Sequence, residues 1–410
     1  MSARRVAITG CGVVSPIGEG IPAFRASLLA ARSGIGLLPE ALAASCGVQV
    51  AASIAWDAKR HFRDAEAGQL DRGTQFALVA AGEALAASAL DPAKADRTRI
   101  GVSWGTGMGG ATTVEAAYGQ FYEKHDARMR PMTVVMGMCN AAGSNVALHW
   151  KLQGPFANYS TACSSSAMAL GEAMRAIQSG RADAVLAGGS EALLAPGVLA
   201  AWNAVRALAA ADAADPAASC RPFDRRRAGL VLGEGAAAFV LESEDAARAR
   251  GARVLAWLSG YGNSCDAMHI SRPDRAGQVR AMREALRESG CAPGDFGYLN
   301  AHGTATMVGD AVECEAIREV FGDATAQLPV SSTKSMHGHL LGAAGAVEFA
   351  AALLPFAEGW LPPTAHLEQP DPACAVRHVP RAEQRKPPRA VMSNSFAFGG
   401  SNVVLVATSA

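Results

Sequence analysis

Short runs of strand-forming residues alternate with longer alanine-rich segments along the chain, and this alternation constrains the fold more than any other feature. The long segments carry apolar residues at helical spacing, whereas the short runs are too brief for stable helices. The predicted strands are Arg5–Thr9, Arg99–Trp104, Phe156–Thr161, Ala182–Ala187, Ala236–Glu242, Val254–Gly262, Tyr298–Ala301, Leu328–Ser332, Ala390–Ser393 and Val403–Ala407. The predicted helices are Ile21–Ala31, Gln69–Ala89, Ala111–Lys124, Met132–Trp150, Ser164–Ser179, Gln278–Ser289, Asp310–Phe321 and Leu341–Ala357. Such alternation predicts an α/β protein with largely buried sheets.

Two predicted strands follow one another near residues 236–262, around the Ala/Arg-rich segment Glu244–Arg253. This break in the alternation marks a seam between two halves of the chain. We place the boundary between residues 250 and 251.

Composition excludes several classes of protein. Half of the 410 residues are hydrophobic and only 18% are charged, which is typical of a globular protein with a large core. The 37 basic residues balance 37 acidic ones, so no general affinity for nucleic acid is expected. No stretch approaches the length of a membrane span, and the N-terminus is typical of a first strand, so no membrane insertion is expected.

The chain contains nine cysteines, an odd number at wide spacings and without a CxxC pair. This pattern predicts neither a disulfide framework nor a zinc site, and we expect no bound metal. A reducing compartment, the cytoplasm, fits such cysteine usage.

One cysteine, Cys163, has a sequence context typical of a nucleophile. It closes the strand Phe156–Thr161 and opens the helix Ser164–Ser179, which ends before Gly180. A thiol at a helix N-terminus lies near unpaired backbone N–H groups and the positive end of the helix dipole, and both favour the thiolate. An inert buried thiol is the alternative at this stage.

Three further segments place chemically active side chains at strand ends. One strand ends at His302, another is followed by Lys334 and His339, and a glycine-rich loop around Phe398 joins the last two strands. Ligands usually bind at the loop ends of strands in α/β proteins. Together with the cysteine, these segments indicate one shared site.

The four segments resemble those of the β-ketoacyl–acyl carrier protein synthases, the condensing enzymes of fatty acid and polyketide assembly, and more narrowly their elongating type II branch. The resemblance extends from Val6 to Asn402, and the runs Lys334–Gly345 and Asn394–Gly400 are its most specific parts. It implies the thiolase fold, a five-layer αβαβα stack of two similar βαβαβαββ halves. Residues 1–250 would carry the nucleophilic cysteine, and residues 251–410 the histidines, the lysine and the glycine-rich loop.

The resemblance also implies a mechanism. Cys163 would accept an acyl group from a carrier thioester, and a malonyl-carrier thioester would then lose its carboxylate and attack that acyl group. The product is a β-ketoacyl thioester two carbons longer. His302 and His339 would donate hydrogen bonds to the malonyl thioester oxygen, and Lys334 would order the site electrostatically.

The glycine-rich loop would act in acyl transfer and as a gate. Backbone N–H groups of Cys163 and Phe398 would stabilise the oxyanion, and Phe398 with Ala397 and Gly399 would form the gate. Ala397 replaces the glycine usual in the family, so a smaller or differently set gate motion is expected.

Substrate binding can be assigned by the same resemblance. Thr304 and Thr306 would hydrogen-bond the phosphopantetheine arm of the acyl carrier protein, so the enzyme needs no cofactor of its own. Met108 and Thr133 would line the acyl pocket, Thr133 from across a dimer interface. Thr133 stands where related enzymes often have a bulky aromatic residue, which predicts a longer or wider pocket.

The implied partner is an acyl carrier protein, an acidic protein that would dock on a local basic patch. Candidate docking residues are Lys59, Arg60, Arg63, Arg128, Arg130 and Arg225–Arg227. The family normally forms homodimers, and pairing with a chain-length factor stays open.

Two other functions share this fold. A degradative thiolase would carry a second cysteine in the loop around Phe398, and this loop has none. A non-catalytic chain-length factor lacks the nucleophile, whereas this chain has Cys163. Fatty acid elongation and polyketide or polyene synthesis both remain open, as does the acyl chain length.

Overall fold

The structure, a computed structural model, describes residues 4–410. Its strands are β1 (Val6–Ser15), β2 (Gly18–Glu19), β3 (Ile35–Leu37), β4 (Val50–Ala52), β5 (Ile100–Gly105), β6 (Phe156–Tyr159), β7 (Ala184–Glu191), β8 (Gly235–Ser243), β9 (Ala256–Cys265), β10 (Phe296–Asn300), β11 (Pro329–Ser331), β12 (Trp360–Leu361), β13 (Arg377–His378), β14 (Glu383–Gln384), β15 (Ala390–Phe396) and β16 (Ser401–Thr408). Its α-helices are α1 (Ile21–Leu29), α2 (Glu40–Cys46), α3 (Asp64–Ala67), α4 (Arg72–Ser88), α5 (Ala111–Lys124), α6 (Thr133–Gly137), α7 (Ala141–Trp150), α8 (Ser165–Gln178), α9 (Pro196–Ala204), α10 (Glu244–Ala249), α11 (Arg275–Ser289), α12 (Met307–Phe321), α13 (Lys334–His337), α14 (Ala344–Leu353) and α15 (Pro355–Glu358).

The main strands repeat one order in the two halves of the chain. The first half has the order β1-β8-β7-β5-β6, and the second has β9-β16-β15-β10-β11 with β13 at its edge. These two sets, called here the first and the second sheet, are joined into one continuous sheet where β1 pairs antiparallel with β9, as Val6 faces Leu258 and Ile8 faces Ala256. Each half therefore follows the predicted βαβαβαββ sequence. The predicted boundary at residues 250/251 falls between β8 and β9 and stays a prediction.

Three apolar cores separate five layers. The central core contains α8 and α14, which contact each other between the two sheets. Helices α4 and α7 cover the outer face of the first sheet, and α11 and α12 cover that of the second. Side chains alternate accordingly, because Val185 and Val391 face the centre whereas Leu186 and Met392 face outward. The predicted αβαβα thiolase fold is confirmed.

In each half, a glycine of the sheet allows an outer helix to approach the strand closely. A Cβ at Gly12 of β1 would lie 2.1 Å from the Ala80 carbonyl oxygen of α4. A Cβ at Gly262 of β9 would lie 1.9 Å from the Ala281 carbonyl oxygen of α11. Only glycine permits these approaches, so the two halves share a packing constraint as well as a strand order.

All ten predicted strands are present, but two predicted helices are divided. Met132–Trp150 becomes α6 and α7 because Met138 is extended, with ψ 144°, directly after Gly137. Leu341–Ala357 becomes a 3₁₀ turn, α14 and α15, and Pro355 lies at the start of α15, where its missing N–H is tolerated. Helix α9, which lies close to the site, was not predicted.

The expectation that no stretch approaches the length of a membrane span is wrong. The stretch Leu341–Glu358, with mean hydropathy 1.4, is long and apolar enough to cross a membrane by length and composition alone. However, 72% of it is buried inside the molecule, where α14 packs between the two sheets. Its apolar character therefore matches its place in the protein core.

Candidate active site

Cys163 lies at the turn from β6 into α8, as the sequence predicts. Residues Ala162–Ser164 form a 3₁₀ turn that leads into α8, and Ala162 has φ +51°, a left-handed conformation that costs a non-glycine residue energy. The strained turn places the thiol at the N-terminal end of the helix, at the base of a cavity. The side chain is almost completely buried.

The structure changes the expected ionisation of this thiol. Burial raises the pKa of Cys163 to about 12, against the lowering effects of the Lys334 charge and the backbone N–H of Phe398. The sequence context favoured the thiolate. At this buried position, removal from water outweighs the neighbouring positive charge and the N–H groups, so the resting sulfur is a thiol.

His339 contacts the cysteine directly. Its Nε2 lies 3.0 Å from the Cys163 sulfur, and its Nδ1 accepts a hydrogen bond from the Leu341 N–H at 3.2 Å. An imidazole that accepts at Nδ1 carries its proton on Nε2 when neutral. Burial and the Lys334 charge hold the pKa of His339 well below its usual value. The ring is therefore a neutral donor directed at the sulfur.

His302 lies beside His339, with ring centroids 5.3 Å apart and planes nearly perpendicular. The Lys334 ammonium lies 3.3 Å from His302 Nδ1 and donates to the His302 carbonyl oxygen at 2.6 Å. This contact assigns the His302 proton to Nε2 as well. Burial, Lys334 and His339 all lower the pKa of His302.

Two carboxylates that the sequence did not single out support this pair. Glu348 of α14 forms an ion pair with Lys334, and neither side chain is exposed. Burial raises the pKa of Glu348 and the Lys334 charge opposes this. Glu313 of α12 accepts the backbone N–H groups of His302 and Gly303, both at 2.8 Å. A single acidic residue in the apolar run Leu340–Leu354 was the available signal for Glu348.

The gate loop closes one side of the cavity. Phe398 stacks on Trp202 of α9, with ring centroids 5.9 Å apart and planes at 21°. Gly399 has φ +86°, and its N–H donates to the Ile270 carbonyl at 2.7 Å. Ala397 does not have a positive φ, so its Cβ causes no backbone strain in this loop. Trp202 belongs to α9, one of the helices that the sequence did not predict.

Thr304 and Thr306 line the same cavity, which has a volume of about 380 Å³. Their hydroxyl oxygens lie 3.1 Å apart. Cys163, His302 and His339 also line this cavity, so the sequence-predicted nucleophile, histidines and threonines meet in one space.

The two predicted acyl-pocket residues are not brought to this cavity. Met108 lies in the turn after β5, with its backbone N–H donating to Glu191 at 3.1 Å, and Thr133 begins α6. Neither lines the cavity in this single chain. Their assignment to the acyl pocket stays a prediction.

The predicted docking residues differ in their exposure to solvent. Arg227 has a side chain only 1% exposed and ion-paired, so its assignment to carrier docking is wrong. Lys59 and Arg128 are exposed but contact Asp64 and Asp126. Two arginines that the sequence did not single out, Arg206 and Arg272, line the cavity instead.

Among residues 4–410, only one cluster has the composition of a metal site. The ligand atoms of Cys163, His302 and His339 lie within 4.8 Å of one another, a set that suits a soft divalent ion. The Lys334 ammonium beside His302 opposes any added cation. The expectation of no bound metal stays a prediction.

We predict that Glu348→Gln destabilises the protein because it leaves the buried Lys334 charge without its partner. The free energy of unfolding should fall by about 3–5 kcal/mol, measured by urea denaturation. Glu358→Gln is the matched control, because Glu358 is an exposed residue of α15 paired with Arg25. That control should cost at most about 1 kcal/mol. Equal effects of both changes would contradict a structural role for the buried pair.

Comparison with known proteins places this arrangement in a family. Sequence models of the β-ketoacyl synthase N-terminal and C-terminal domains match residues 3–247 and 255–368. The chain is 40% identical to 3-oxoacyl-[acyl-carrier-protein] synthase 2 of Staphylococcus aureus (strain COL) over 406 residues, 98% of each sequence.

Solved structures agree with the sequence matches. The ishigamide ketosynthase/chain length factor superimposes with a TM-score of 0.92 at 32% identity, covering all of both chains. A type II polyketide acyl carrier protein in complex with its ketosynthase gives a TM-score of 0.91 at 29% identity, again over both whole chains. With these full-length matches, the chain belongs to the β-ketoacyl synthase family.

Proposed function

We propose that this protein is a β-ketoacyl–acyl carrier protein synthase that extends a Cys163-bound acyl chain by two carbons through decarboxylative condensation. The observation that carries this proposal is the 3.0 Å contact between the Cys163 sulfur and His339 Nε2, with His302 beside it in the same cavity. A non-catalytic role like that of a chain-length factor would not need Cys163, His302 and His339 together. The full-length relatives with the synthase name support the same reaction.

Acyl transfer begins at Cys163. The sulfur attacks the carrier thioester, the carrier thiol leaves with the proton that the cysteine loses, and the acyl group stays on Cys163. Burial raises the pKa of the sulfur, and the N–H groups of Phe398 and Cys163 act against that rise. These backbone N–H groups favour negative charge near the sulfur, so they would also stabilise the oxyanion of the tetrahedral intermediate.

Decarboxylation relies on the two histidines. Loss of carbon dioxide from the malonyl thioester moves negative charge onto the thioester oxygen, which accepts hydrogen bonds from Nε2–H of His302 and His339. The resulting enolate carbon attacks the acyl carbonyl, and Cys163 leaves as the thiolate. Lys334 acts on His302 rather than on the substrate, since its contacts hold the Nδ1 and the carbonyl oxygen of that residue.

An acyl carrier protein is the proposed partner, and its phosphopantetheine arm brings both substrates. Thr304 and Thr306 would bind the arm, so no separate cofactor is required. The cavity is lined by Ile270 and Met307, both exposed, and by Arg206 and Arg272. We place the carrier over this opening because acidic carriers pair with arginine and the arm must enter here.

The pathway is proposed only as fatty acid or polyketide and polyene synthesis. The sequence relative bears a 3-oxoacyl-[acyl-carrier-protein] synthase name, whereas two structural neighbours are a ketosynthase/chain length factor and a type II polyketide ketosynthase. Nine free thiols support a cytoplasmic location.

We further propose a homodimer built on the face formed by α5, α6, α7 and β6. Strand β6 ends the sheet, so its outer edge is free to pair in the described chain. Large apolar side chains are exposed across this face, including Tyr122, Val134, Leu148 and Phe156. Several exposed apolar side chains next to an open strand edge are typical of an interface. Thr133 lies on this face, where it could reach a partner's pocket.

We expect light scattering to give twice the mass of one chain, 42.1 kDa. Leu148→Asp should shift the protein to monomers because it puts a charge into the apolar face. Leu37→Asp is the control, since Leu37 is similarly exposed, at 66% against 72%, but lies on β3. A wild-type monomer would refute the homodimer and leave pairing with a chain-length factor.

We predict that Cys163→Ala abolishes the acyl-enzyme. After incubation with an acyl-carrier thioester, intact mass spectrometry should show one acyl group on the wild type and none on the variant. Cys139→Ala, which removes an exposed thiol, should acylate like the wild type. Covalent acylation of the Cys163→Ala protein would contradict the nucleophile assignment.

We predict that His302→Ala and His339→Ala impair malonyl decarboxylation more than acylation. Loss of one oxyanion donor should reduce carbon dioxide release about 10²–10³-fold. Acylation should fall less for His302→Ala in particular, because His302 is not the residue that contacts the sulfur. Carbon dioxide release at the wild-type rate in either variant would refute this role.

A further inference from the structure

Arg227, which the sequence offered as a docking residue, lies inside the protein behind the threonine loop. Its Nε donates to the Thr306 carbonyl at 3.0 Å, and its Nη2 donates to the Met307 carbonyl at 2.8 Å. The guanidinium group therefore holds two consecutive peptide carbonyls of the segment that carries Thr304 and Thr306. Lysine lacks this planar fork and could not make both contacts in the same geometry.

The opposite side of the guanidinium group is fixed as well. Nη1 donates to the Asp224 carbonyl at 3.0 Å and to the Asp371 carboxylate at 2.7 Å. The Asp310 carboxylate lies 3.7 Å from Nε. With two carboxylates near it, the buried charge is compensated and the fork has one orientation.

The loop held by Arg227 is strained. Ala305, between the two threonines, has φ +65°, where a residue with a Cβ is disfavoured. Its carbonyl accepts the Gly229 N–H at 3.0 Å, from the same segment as Arg227. Residues 227–229 thus bind three consecutive carbonyls, those of Ala305, Thr306 and Met307. Such contacts keep a strained backbone in place.

We infer that Arg227 is a positioning residue for the phosphopantetheine arm, acting through the threonine loop. This rests on the proposed function, because it assumes that the cavity binds a pantetheine thioester. Thr304 and Thr306 line the cavity, whereas Arg227 does not. Loss of the hydrogen bonds from Arg227 lets the loop relax and moves the hydroxyls of Thr304 and Thr306. Cys163 belongs to a different turn and stays in place.

The test compares Arg227→Lys with the wild type, using an acyl-pantetheine thioester without carrier protein so that docking plays no part. KM for acylation should rise about tenfold, the cost of one lost charge-assisted hydrogen bond. Alkylation of Cys163 by iodoacetamide, read on the peptide that contains Cys163, should stay within about twofold of wild type. Arg283→Lys is the matched control, because Arg283 is exposed, pairs with Glu319 and does not line the cavity; its KM should not change.

A second measurement separates positioning from general damage. In a Thr304→Val background, adding Arg227→Lys should raise KM little further, since both changes remove the same hydroxyl contact. Additive effects, an unchanged KM, or a matching loss of alkylation would overturn the inference. If Arg227→Lys does not fold, Asp371→Asn serves instead, because it removes one anchor of the guanidinium group and should raise KM in the same way. A wild type that neither acyl-pantetheine nor an acyl-carrier thioester can acylate would instead refute the proposed function.

Discussion

The site depends on one buried positive charge, the ammonium group of Lys334. A charge removed from water is costly unless it is paired and hydrogen-bonded. Lys334 meets both requirements through Glu348 and through two atoms of His302. Glu348 lies on the helix between the sheets, whereas His302 follows a strand of the second sheet. Compensation of a single charge therefore fixes, relative to one another, elements that are distant in the chain.

The same kind of turn occurs in both halves of the fold and has a different role in each. Ala162 and Leu341 both have positive φ, +51° and +46°, and each begins a three-residue 3₁₀ turn that leads into a central helix. In the first half this turn presents Cys163. In the second half, the N–H of Leu341 fixes the tautomer of His339, which then donates to the cysteine. The nucleophile and its hydrogen-bond donor thus lie at equivalent turns of the two halves, Cys163 directly after the residue with positive φ and His339 shortly before it.

Strand-forming runs and helical spacing were enough to predict all ten main strands. Buried strands consist of short apolar runs, and such runs can be recognised in a single sequence. That Cys163, His302 and His339 meet in one cavity was also predictable, since these residues lie in specific motifs at strand ends. Glu348, Glu313 and Trp202 were not, because each lies on a helix and acts through a contact across the fold. Arg227 was wrongly predicted at the surface because its burial likewise depends on contacts across the fold. Whether an arginine is exposed depends on Asp310 and Asp371, which lie 83 and 144 residues further along.

Burial gives this site its electrostatic character. It raises the pKa of Cys163 and lowers the pKa values of His302 and His339, so the resting groups that would contact substrate are neutral. In the proposed mechanism this is favourable for decarboxylation. Two cationic imidazoles would bind the malonyl carboxylate tightly and stabilise the ground state, whereas neutral N–H donors favour the thioester oxygen on which charge develops. Lys334 supplies the fixed charge but reaches His302 from behind, at Nδ1. The positive field therefore strengthens the Nε2–H donor without offering the carboxylate an ion pair.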